Sequence, residues 1–565
     1  MKRLLSILAI ISIFAITSNA QSKLEKNFIN LTDEILENLQ TFFPVRASQN
    51  GIHEYDYKLP DYSNKAVSGE ISKLNKFEVR LHKYSKSNLS GDNLVSLTLI
   101  KSEVDMALLD LQRIKWHRKN PYLYSSTAID GIYYILTSEY APLEMRAQNV
   151  IARMKVIPDL LNQAKNNLKN PPPIYIQLAQ ETTESGIEFF KTVEEELSRK
   201  LPELATEIGA ATGMAIKAMQ DYREFLNRLT PGDPNSFAIG KENFDYMLSN
   251  KYMLDYDSDS LLKIGEFQLE QVKKQYNDYL AGLSDSVEKT DSVFIIKCIT
   301  KQDILNYYQW ETEQTKQFII ENDLVTIPEG IGECKVIETP PFLTNMISTI
   351  AYQPPGTFSP SQTGYFFVRP IPDDMDDQQI EAKYRYIHRR GFKGSVVHEA
   401  YPGHHLQFQM AAKSNNNVRK WFGNAMYYEG WALYCEEMMY NAGFYGRDTR
   451  KYLNILGGVW FRAARIIVDV KLHTGAWTRE EALDWFAKEM DADPSGWITT
   501  EIDRYTMTPT IQMSYLLGKI ELLKLRDAFK AKEGENFSLK AFHDKFLAEI
   551  DVPPAMLWDI WGLEK

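Results

Sequence analysis

Apolar and polar residues follow a helical period over long stretches of the chain. Apolar side chains recur every three or four residues, which places them on one face of an α-helix. This pattern predicts helices at Leu94–Lys119, Leu143–Asn167, Ile187–Arg199, Leu201–Leu229 and Ile304–Asn322. Proline-containing turns at 170–173 and 230–234 separate them, because proline lacks the backbone N–H that would continue a helix.

The pattern changes between Cys334 and Pro372, where prolines become frequent. The aromatic run Gly364–Val368 favours a short strand there, and helical periodicity resumes from about Gln378. We expect this strand either to be an edge strand that pairs with an extended substrate or to be a hairpin that only fills space. The chain therefore predicts a mainly α fold, with two helical halves that flank a cleft and a short β segment.

Residues 1–20 have the pattern of a secretory signal peptide. Lys2 and Arg3 precede an apolar core from Leu4 to Ile16, and Ser18-Asn19-Ala20 forms a small-x-small cleavage site. The apolar core is shorter than the ~20 residues that span a bilayer, and no cysteine follows it for lipoprotein processing. We expect a mature chain that is exported to the periplasm or secreted, without a membrane span.

The mature chain, residues 21–565, is long enough to bury a large core. We expect one helical domain, with an N-terminal helical part at about 21–330 and a metal-site part at about 331–565. The net charge is −11 and the basic residues are dispersed, which argues against nucleic acid as a partner. Cys298, Cys334 and Cys435 lack the spacing of a metal site.

The most informative local feature is His398-Glu399, followed by His404 and His405, so three of nine histidines lie within eight residues. Histidines supply zinc ligands, and a glutamate beside the first can activate water as a general base. A glutamate carboxylate can accept a proton from water, so Glu399 is the candidate general base. The usual motif is H-E-x-x-H, with both ligands on one helical face.

Pro402 and Gly403 interrupt that face, which leaves the choice of second ligand between His404 and His405. In an unbroken helix, His398 and His405 would lie about 10 Å apart along the axis, too far for one ion. A bulge of two residues would bring His404 to the usual position, because glycine gives the backbone freedom to bulge. We favour His404 as the ligand and expect His405 to support the site or face the substrate.

Glu429 is the candidate for the third zinc ligand. It lies in a helical segment 25 residues beyond His404, after a polar Ser414–Asn417 turn that can reverse the chain. A returning helix could then present Glu429 to His398 and His404, leaving the fourth position for water. Three protein ligands and an open position are typical of catalytic rather than structural zinc sites.

The run His398–Gln407, H-E-A-Y-P-G-H-H-L-Q, resembles the signature of the bacterial domain-of-unknown-function family 885. This resemblance covers most of the mature chain. Around the metal helices alone, the chain is similar to helical gluzincin peptidases: thimet oligopeptidase, angiotensin-converting enzyme and the Taq-type carboxypeptidases. Gly403–Leu406 matches the second half of the Taq-type motif H-E-x-G-H-A-L, which implies that His404 is the ligand.

The resemblance also suggests roles for residues further along the chain. A late tyrosine stabilises the oxyanion in gluzincins, which implies this role for Tyr515 and, less directly, for Tyr505. Glu436 is expected to orient a ligating histidine or to form a helix salt bridge. The remaining two candidates are His473, a core or substrate-binding residue, and Arg504, which either clamps a substrate carboxylate or pairs with Glu501 or Asp503.

Together these patterns predict an exported zinc metallopeptidase-like hydrolase that acts on peptides. A zinc hydrolase of a non-peptide amide or ester would use the same water activation, so it remains an alternative. A metal-free binding protein with an inactive motif is the alternative from another class. A serine hydrolase is disfavoured because the chain has no G-x-S-x-G motif.

Overall fold

The computed structural model describes residues 23–283, 300–340, 347, 350–369, 375–382, 392–446 and 450–564. The expected signal peptide and Cys298 lie outside the described residues. The chain is mainly helical with one small sheet, as the sequence pattern predicted. None of the helices in the described ranges is both long and apolar enough to cross a bilayer.

The first half of the chain forms a set of packed helices. In chain order, these are α1 (23–42), α2 (Pro44–Gln49), α3 (Asn64–Leu81), α4 (Gly91–Leu108), α5 (Trp116–Lys119), α6 (Tyr122–Thr137), α7 (Leu143–Asn167), α8 (Pro173–Lys200), α9 (Ala205–Arg228), α10 (Lys241–Lys251), α11 (Ser258–Gly282) and α12 (Lys301–Glu321).

Helix α7 has the bounds that the sequence predicted, but two other predictions were wrong in extent. The predicted helix Leu94–Lys119 is divided, because Lys115 has a left-handed backbone (φ 61°) that ends the helical run. The predicted helix Ile187–Arg199 is only the end of α8, which begins at Pro173. Proline is favourable at a first helical position, where no hydrogen-bond donor is needed.

The small sheet contains β1 (Cys334–Glu338), β2 (Ile350–Gln353) and β3 (Gly364–Val368), in the order β1-β3-β2. Strand β3 has the predicted bounds and is paired on both sides, parallel to β1 and antiparallel to β2. It is therefore neither an edge strand nor half of a simple hairpin, and its backbone cannot pair with a substrate. The edge strand that lines the central cavity is β2, through Ile350, Ala351 and Tyr352.

The second half continues with helices. They are α13 (377–382), α14 (Phe392–Glu399), α15 (His404–Ala412), α16 (Asn417–Trp421), α17 (Ala425–Asn441), α18 (Arg450–His473), α19 (Arg479–Glu489), α20 (Trp497–Met507), α21 (Ser514–Glu533), α22 (Leu539–Ala548) and α23 (Pro554–Trp561).

Helices α17 and α21 cross at a contact between two glycines. A Cβ atom on Gly518 would lie 2.1 Å from the carbonyl oxygen of Met426, and one on Gly430 would lie 2.5 Å from the backbone of Gly518. Only glycine at both positions allows so close an approach. The crossing brings Glu429 of α17 near Tyr515 of α21.

Candidate metal centre

Three side chains from separate helices converge at one point of the central cavity. His398 lies in the last turn of α14, His404 begins α15, and Glu429 lies in α17. Oε2 of Glu429 is 3.5 Å from Nε2 of His398 and 3.2 Å from Nε2 of His404. Within the described part of the chain, these three residues are the group whose ligand atoms all lie within 4.8 Å of one another.

The two distances from Glu429 to the histidines fit a tetrahedral zinc ion. Ligand atoms at 2.0–2.1 Å from zinc lie about 3.4 Å apart when they occupy corners of a tetrahedron. The two distances at Glu429 are close to that value. Oε2 of Glu429 is also buried without a hydrogen-bond donor among the described residues. Such an oxygen is costly unless a cation satisfies it.

The turn between α14 and α15 sets the unusual spacing of the two histidines. The sequence predicted one bulged helix, but α14 ends at Glu399 and a new helix begins at His404. Pro402, which follows a cis peptide bond, cannot donate the hydrogen bond that would continue α14. A Cβ atom on Gly403 would lie 1.9 Å from the carbonyl oxygen of His398, so the turn requires glycine. Trp431 of α17 stabilises the turn by donating a hydrogen bond from its indole N–H to the carbonyl of Pro402, at 2.8 Å.

Glu436 fixes the orientation of His398. Its Oε1 is 2.9 Å from Nδ1 of His398, so Nε2 of that ring faces Glu429. Nη2 of Arg462 in turn lies 3.5 Å from the same carboxylate oxygen. A carboxylate behind a ligating histidine is a common feature of metal sites, because it holds the ring and increases its basicity.

The charges of the cluster favour a cation. Burial lowers the pKa of His398, but the neighbouring carboxylates of Glu429 and Glu436 outweigh this effect and raise the pKa to about 10. Burial raises the pKa of Glu429, but His404 and His398 hold it well below its usual range. Either a proton on His398 or a metal ion would compensate the negative charge of the Glu429 and Glu436 carboxylates. Metal binding would therefore release the proton.

Glu399 and Tyr515 lie in the same cavity as the three candidate ligands. Glu399 is half-buried, and the Tyr515 ring lies nearly parallel to that of His398, with ring centres 6.5 Å apart. Burial and the charge of Glu429 raise the pKa of the Tyr515 hydroxyl above its usual value. Tyr515 therefore keeps its proton at neutral pH and can donate a hydrogen bond.

The cavity has a volume of about 1580 Å³, larger than most small-molecule sites. Residues of the first half, such as Arg46 and Asn50, face residues of the second half across it. Tyr352 of β2 and Phe408 of α15 form part of its wall beside the histidines. A cavity of this size has room for several residues of a peptide.

Among the supporting candidates, His405 lies away from the cavity wall. Its Nδ1 is 2.8 Å from the hydroxyl of Tyr352, and its Nε2 is 3.0 Å from the carbonyl of Gly332. The ring is fully buried, so it faces protein rather than a substrate. His405 therefore ties α15 to the sheet.

His473 and Tyr505 are also core residues. Nε2 of His473 bonds the carbonyl of Tyr505 at 2.8 Å, and its ring packs near Phe237 and Phe244. The Tyr505 hydroxyl bonds Glu501 at 2.5 Å and is buried. Neither residue lines the cavity. A Tyr505 hydroxyl held in this way is not directed at a substrate carbonyl.

Arg504 does line the cavity, and it also forms the ion pair with Glu501 that the sequence suggested, at 2.8 Å. Two further cavity arginines, Arg462 and Arg465 of α18, were missed by sequence reasoning. Their spacing of three residues places them on one helical face, and this spacing is a signal in the sequence that could have indicated the pair. Nothing in the sequence indicates that α18 turns this face toward Tyr515.

The chain belongs to the family described as bacterial protein of unknown function (DUF885), whose model matches residues 44–559. Among curated proteins, no match was found.

Two solved bacterial structures resemble this fold, and both are described as a "putative lipoprotein", the first of unknown function. The structure from Shewanella oneidensis is 20% identical, with a TM-score of 0.76 over 94% of this chain and 99% of that one. The structure from Colwellia psychrerythraea is 18% identical, with a TM-score of 0.76 over 95% and 99%. These likenesses establish the fold alone.

Proposed function

We propose that this protein is an exported zinc-dependent hydrolase of the metallopeptidase type, which cleaves peptide bonds with an activated water. The observation that carries the proposal is the triangle of His398, His404 and Glu429, with ligand-atom distances of 3.2 and 3.5 Å at the edge of a large cavity. Three protein ligands leave one position of a tetrahedron open, as catalytic zinc sites do.

A bound zinc would supply Lewis acidity, which lowers the pKa of water and polarises a carbonyl group. Glu399 is the residue that takes a proton from the attacking water and passes it to the nitrogen of the leaving amine. The water oxygen then forms the new bond to the carbonyl carbon, and the C–N bond breaks. Tyr515 donates a hydrogen bond to the oxygen on which negative charge develops.

Export is supported by the signal-peptide pattern of residues 1–20 and by the lipoprotein description of both structural relatives. A net charge of −11 with dispersed basic residues is suited to peptides rather than nucleic acids. The cavity is large enough for an extended peptide of several residues. We therefore propose peptides outside the cytoplasm as the substrate class.

The test compares the zinc-loaded protein with Glu399→Gln on a mixed peptide library, with products identified by mass spectrometry. The amide keeps the shape of the side chain and cannot accept the proton, so we expect hydrolysis to fall by about 10²–10⁴-fold while zinc stays bound. Glu313→Gln is a matched control, because Glu313 is exposed on α12, a helix that packs on α14. It should retain full activity.

Intact peptides at full zinc occupancy would overturn the peptidase proposal. Simple esters and non-peptide amides belong in the same screen, because the same residues would activate water against them. Cleavage of those compounds alone would identify the protein as a non-peptide hydrolase. Inactivity toward every compound, together with failure to bind zinc, would instead favour a metal-free binding protein.

A further inference from the structure

Three arginines meet beside Tyr515 in the wall of the cavity. The guanidinium carbon of Arg465 lies 5.0 Å from the centre of the Tyr515 ring, and that of Arg462 lies 5.9 Å from it. Arg504, on α20, joins them through Glu501, which accepts from Nη2 of Arg465 at 2.6 Å and Nη2 of Arg504 at 2.8 Å. All three arginines line the cavity.

The cluster carries more positive than negative charge. Glu501 is shared by Arg465 and Arg504, so one carboxylate faces two guanidinium groups. Arg462 pairs only with Glu436 among the described residues, at 3.5 Å, and Glu436 is already bonded to His398. A positive charge is therefore left over in a largely desolvated wall, which is costly unless an anion compensates it.

Part of the hydrogen-bonding capacity of the cluster is unused. Each guanidinium has five N–H donors on three nitrogens. Among the described residues, Arg465 donates from Nε to Tyr505 and from Nη2 to Glu501, and Arg504 donates from Nη2 to Glu501. The Nη1 groups of both arginines have no acceptor in the described part of the protein. They are available to a ligand in the cavity.

We propose that Arg462, Arg465 and Arg504 form a subsite that binds a carboxylate of the substrate. Guanidinium groups bind carboxylates in a directional, often bidentate manner, which a single lysine cannot reproduce. This inference rests on the proposed function and deepens it, because it assigns a substrate class: peptides with an anionic group close to the bond that is cleaved.

The distances limit how far the carboxylate is from the reacting bond. The Tyr515 ring lies between Arg465 and His398. Its centre is 5.0 Å from the guanidinium carbon of Arg465 and 6.5 Å from the centre of the His398 ring. An extended chain advances about 3.3–3.6 Å per residue, so the carboxylate lies within about three residues of the scissile bond. Two sources fit this distance: the free C-terminus of a short peptide and an acidic side chain.

The experiment uses three matched N-acetylated peptides and the zinc-loaded wild-type protein. The first has a free C-terminal carboxylate, the second is its C-terminal amide, and the third is an amide with one glutamate near the bond that is cleaved. We expect kcat/KM for the free acid to exceed that for the neutral amide by at least about tenfold, since charge-assisted bonds to arginine are lost in the amide. Preference for the third peptide over the second would identify the side chain as the source.

Arg504→Gln should remove most of this preference through an increase in KM, and Arg504→Lys should restore it only in part. Arg479→Gln is the matched control, because Arg479 of α19 pairs at 2.5 Å with Asp503 of α20, the helix that carries Arg504, and does not line the cavity. If this control lost the preference equally, the effect would be that of a broken helix contact, and the subsite would be rejected.

A binding measurement separates this inference from the proposed function. The acid and amide forms of an N-acetylated dipeptide are titrated calorimetrically into wild-type and Arg504→Gln protein, with and without zinc. Selective binding of the acid that is lost in Arg504→Gln supports the subsite, even if no peptide is hydrolysed and the proposed function fails. Equal binding of acid and amide, or binding of neither, overturns the subsite, even if peptides are cleaved.

Discussion

At the scale of single residues, the neighbours His404 and His405 have different surroundings. Nε2 of His404 faces Glu429 at 3.2 Å, whereas both ring nitrogens of His405 bond protein groups. His404 thus belongs to the candidate metal cluster, whereas His405 joins α15 to the sheet. A helix that begins at His404 causes this difference, because consecutive residues point in directions about a quarter-turn apart.

This difference gives a direct prediction for two alanine variants. His404→Ala should lose zinc, because two protein ligands are too few for a stable site. His405→Ala should keep zinc and instead lower the free energy of unfolding by about 1–3 kcal/mol, since it leaves buried partners unsatisfied. Zinc content by mass spectrometry and denaturant unfolding check the two results. Loss of zinc in His405→Ala alone would contradict the assignment.

The candidate ligands could be predicted from the sequence because their residue types and spacing carry the information. His398, His404 and Glu429 were named in this way, and the geometry brings these three side chains together. Arg504 was named as a candidate clamp for a substrate carboxylate, but Arg462 and Arg465, the other members of the arginine cluster, were not predicted, because arginine on a helix is most often a solvated residue. Their significance depends on which face of α18 meets Tyr515, and that is set by tertiary packing.

At the scale of elements, the break between α14 and α15 controls the candidate metal site. The backbone of Gly403 passes so close to the carbonyl of His398 that no other residue fits. The sequence predicted that Pro402 and Gly403 would disturb the helix, but it predicted a bulge rather than a full break. The local sequence indicates where the helix is interrupted. The path of the backbone through the turn depends on tertiary contacts, such as the hydrogen bond from Trp431 to Pro402.

Gly403→Ala should therefore weaken zinc binding without removing any ligand. The new Cβ atom would overlap the carbonyl oxygen of His398, so the turn must shift and carry His398 or His404 out of position. We expect the zinc dissociation constant to rise by at least about tenfold, similar to the loss of a supporting residue. Gly394→Ala in α14 is the control, since its Cβ would meet no atom closer than 3.9 Å. Equal zinc affinity in both variants would argue against a rigid turn.

Strand pairing shows the limit of sequence patterns at this scale. The aromatic run of β3 was sufficient to predict its bounds, but its two partners were not predicted. Strand β2 has only four residues and stands just before Pro354, so it has little periodicity of its own. Its partner and its place at the cavity depend on contacts with distant residues.

At the scale of the whole molecule, the cavity joins the two halves of the chain. The hydroxyls of Tyr175 and Tyr252, from the first half, bond the carbonyls of Thr506 and Thr510 at 2.6 and 3.0 Å. These buried contacts anchor the end of α20 and the segment that follows it, which leads to Tyr515 in α21. The first half thus supports the candidate site although it supplies none of the three candidate ligands.

The most direct test of the central claim is a crystal structure with anomalous scattering measured on both sides of the zinc absorption edge. We expect one strong zinc peak per chain, about 2.0–2.2 Å from Nε2 of His398, Nε2 of His404 and a carboxylate oxygen of Glu429. Protein grown with zinc and purified without chelators should show this peak at high occupancy. A zinc-saturated crystal with no peak between these three residues, or with zinc bound only elsewhere, would contradict the proposed metal site.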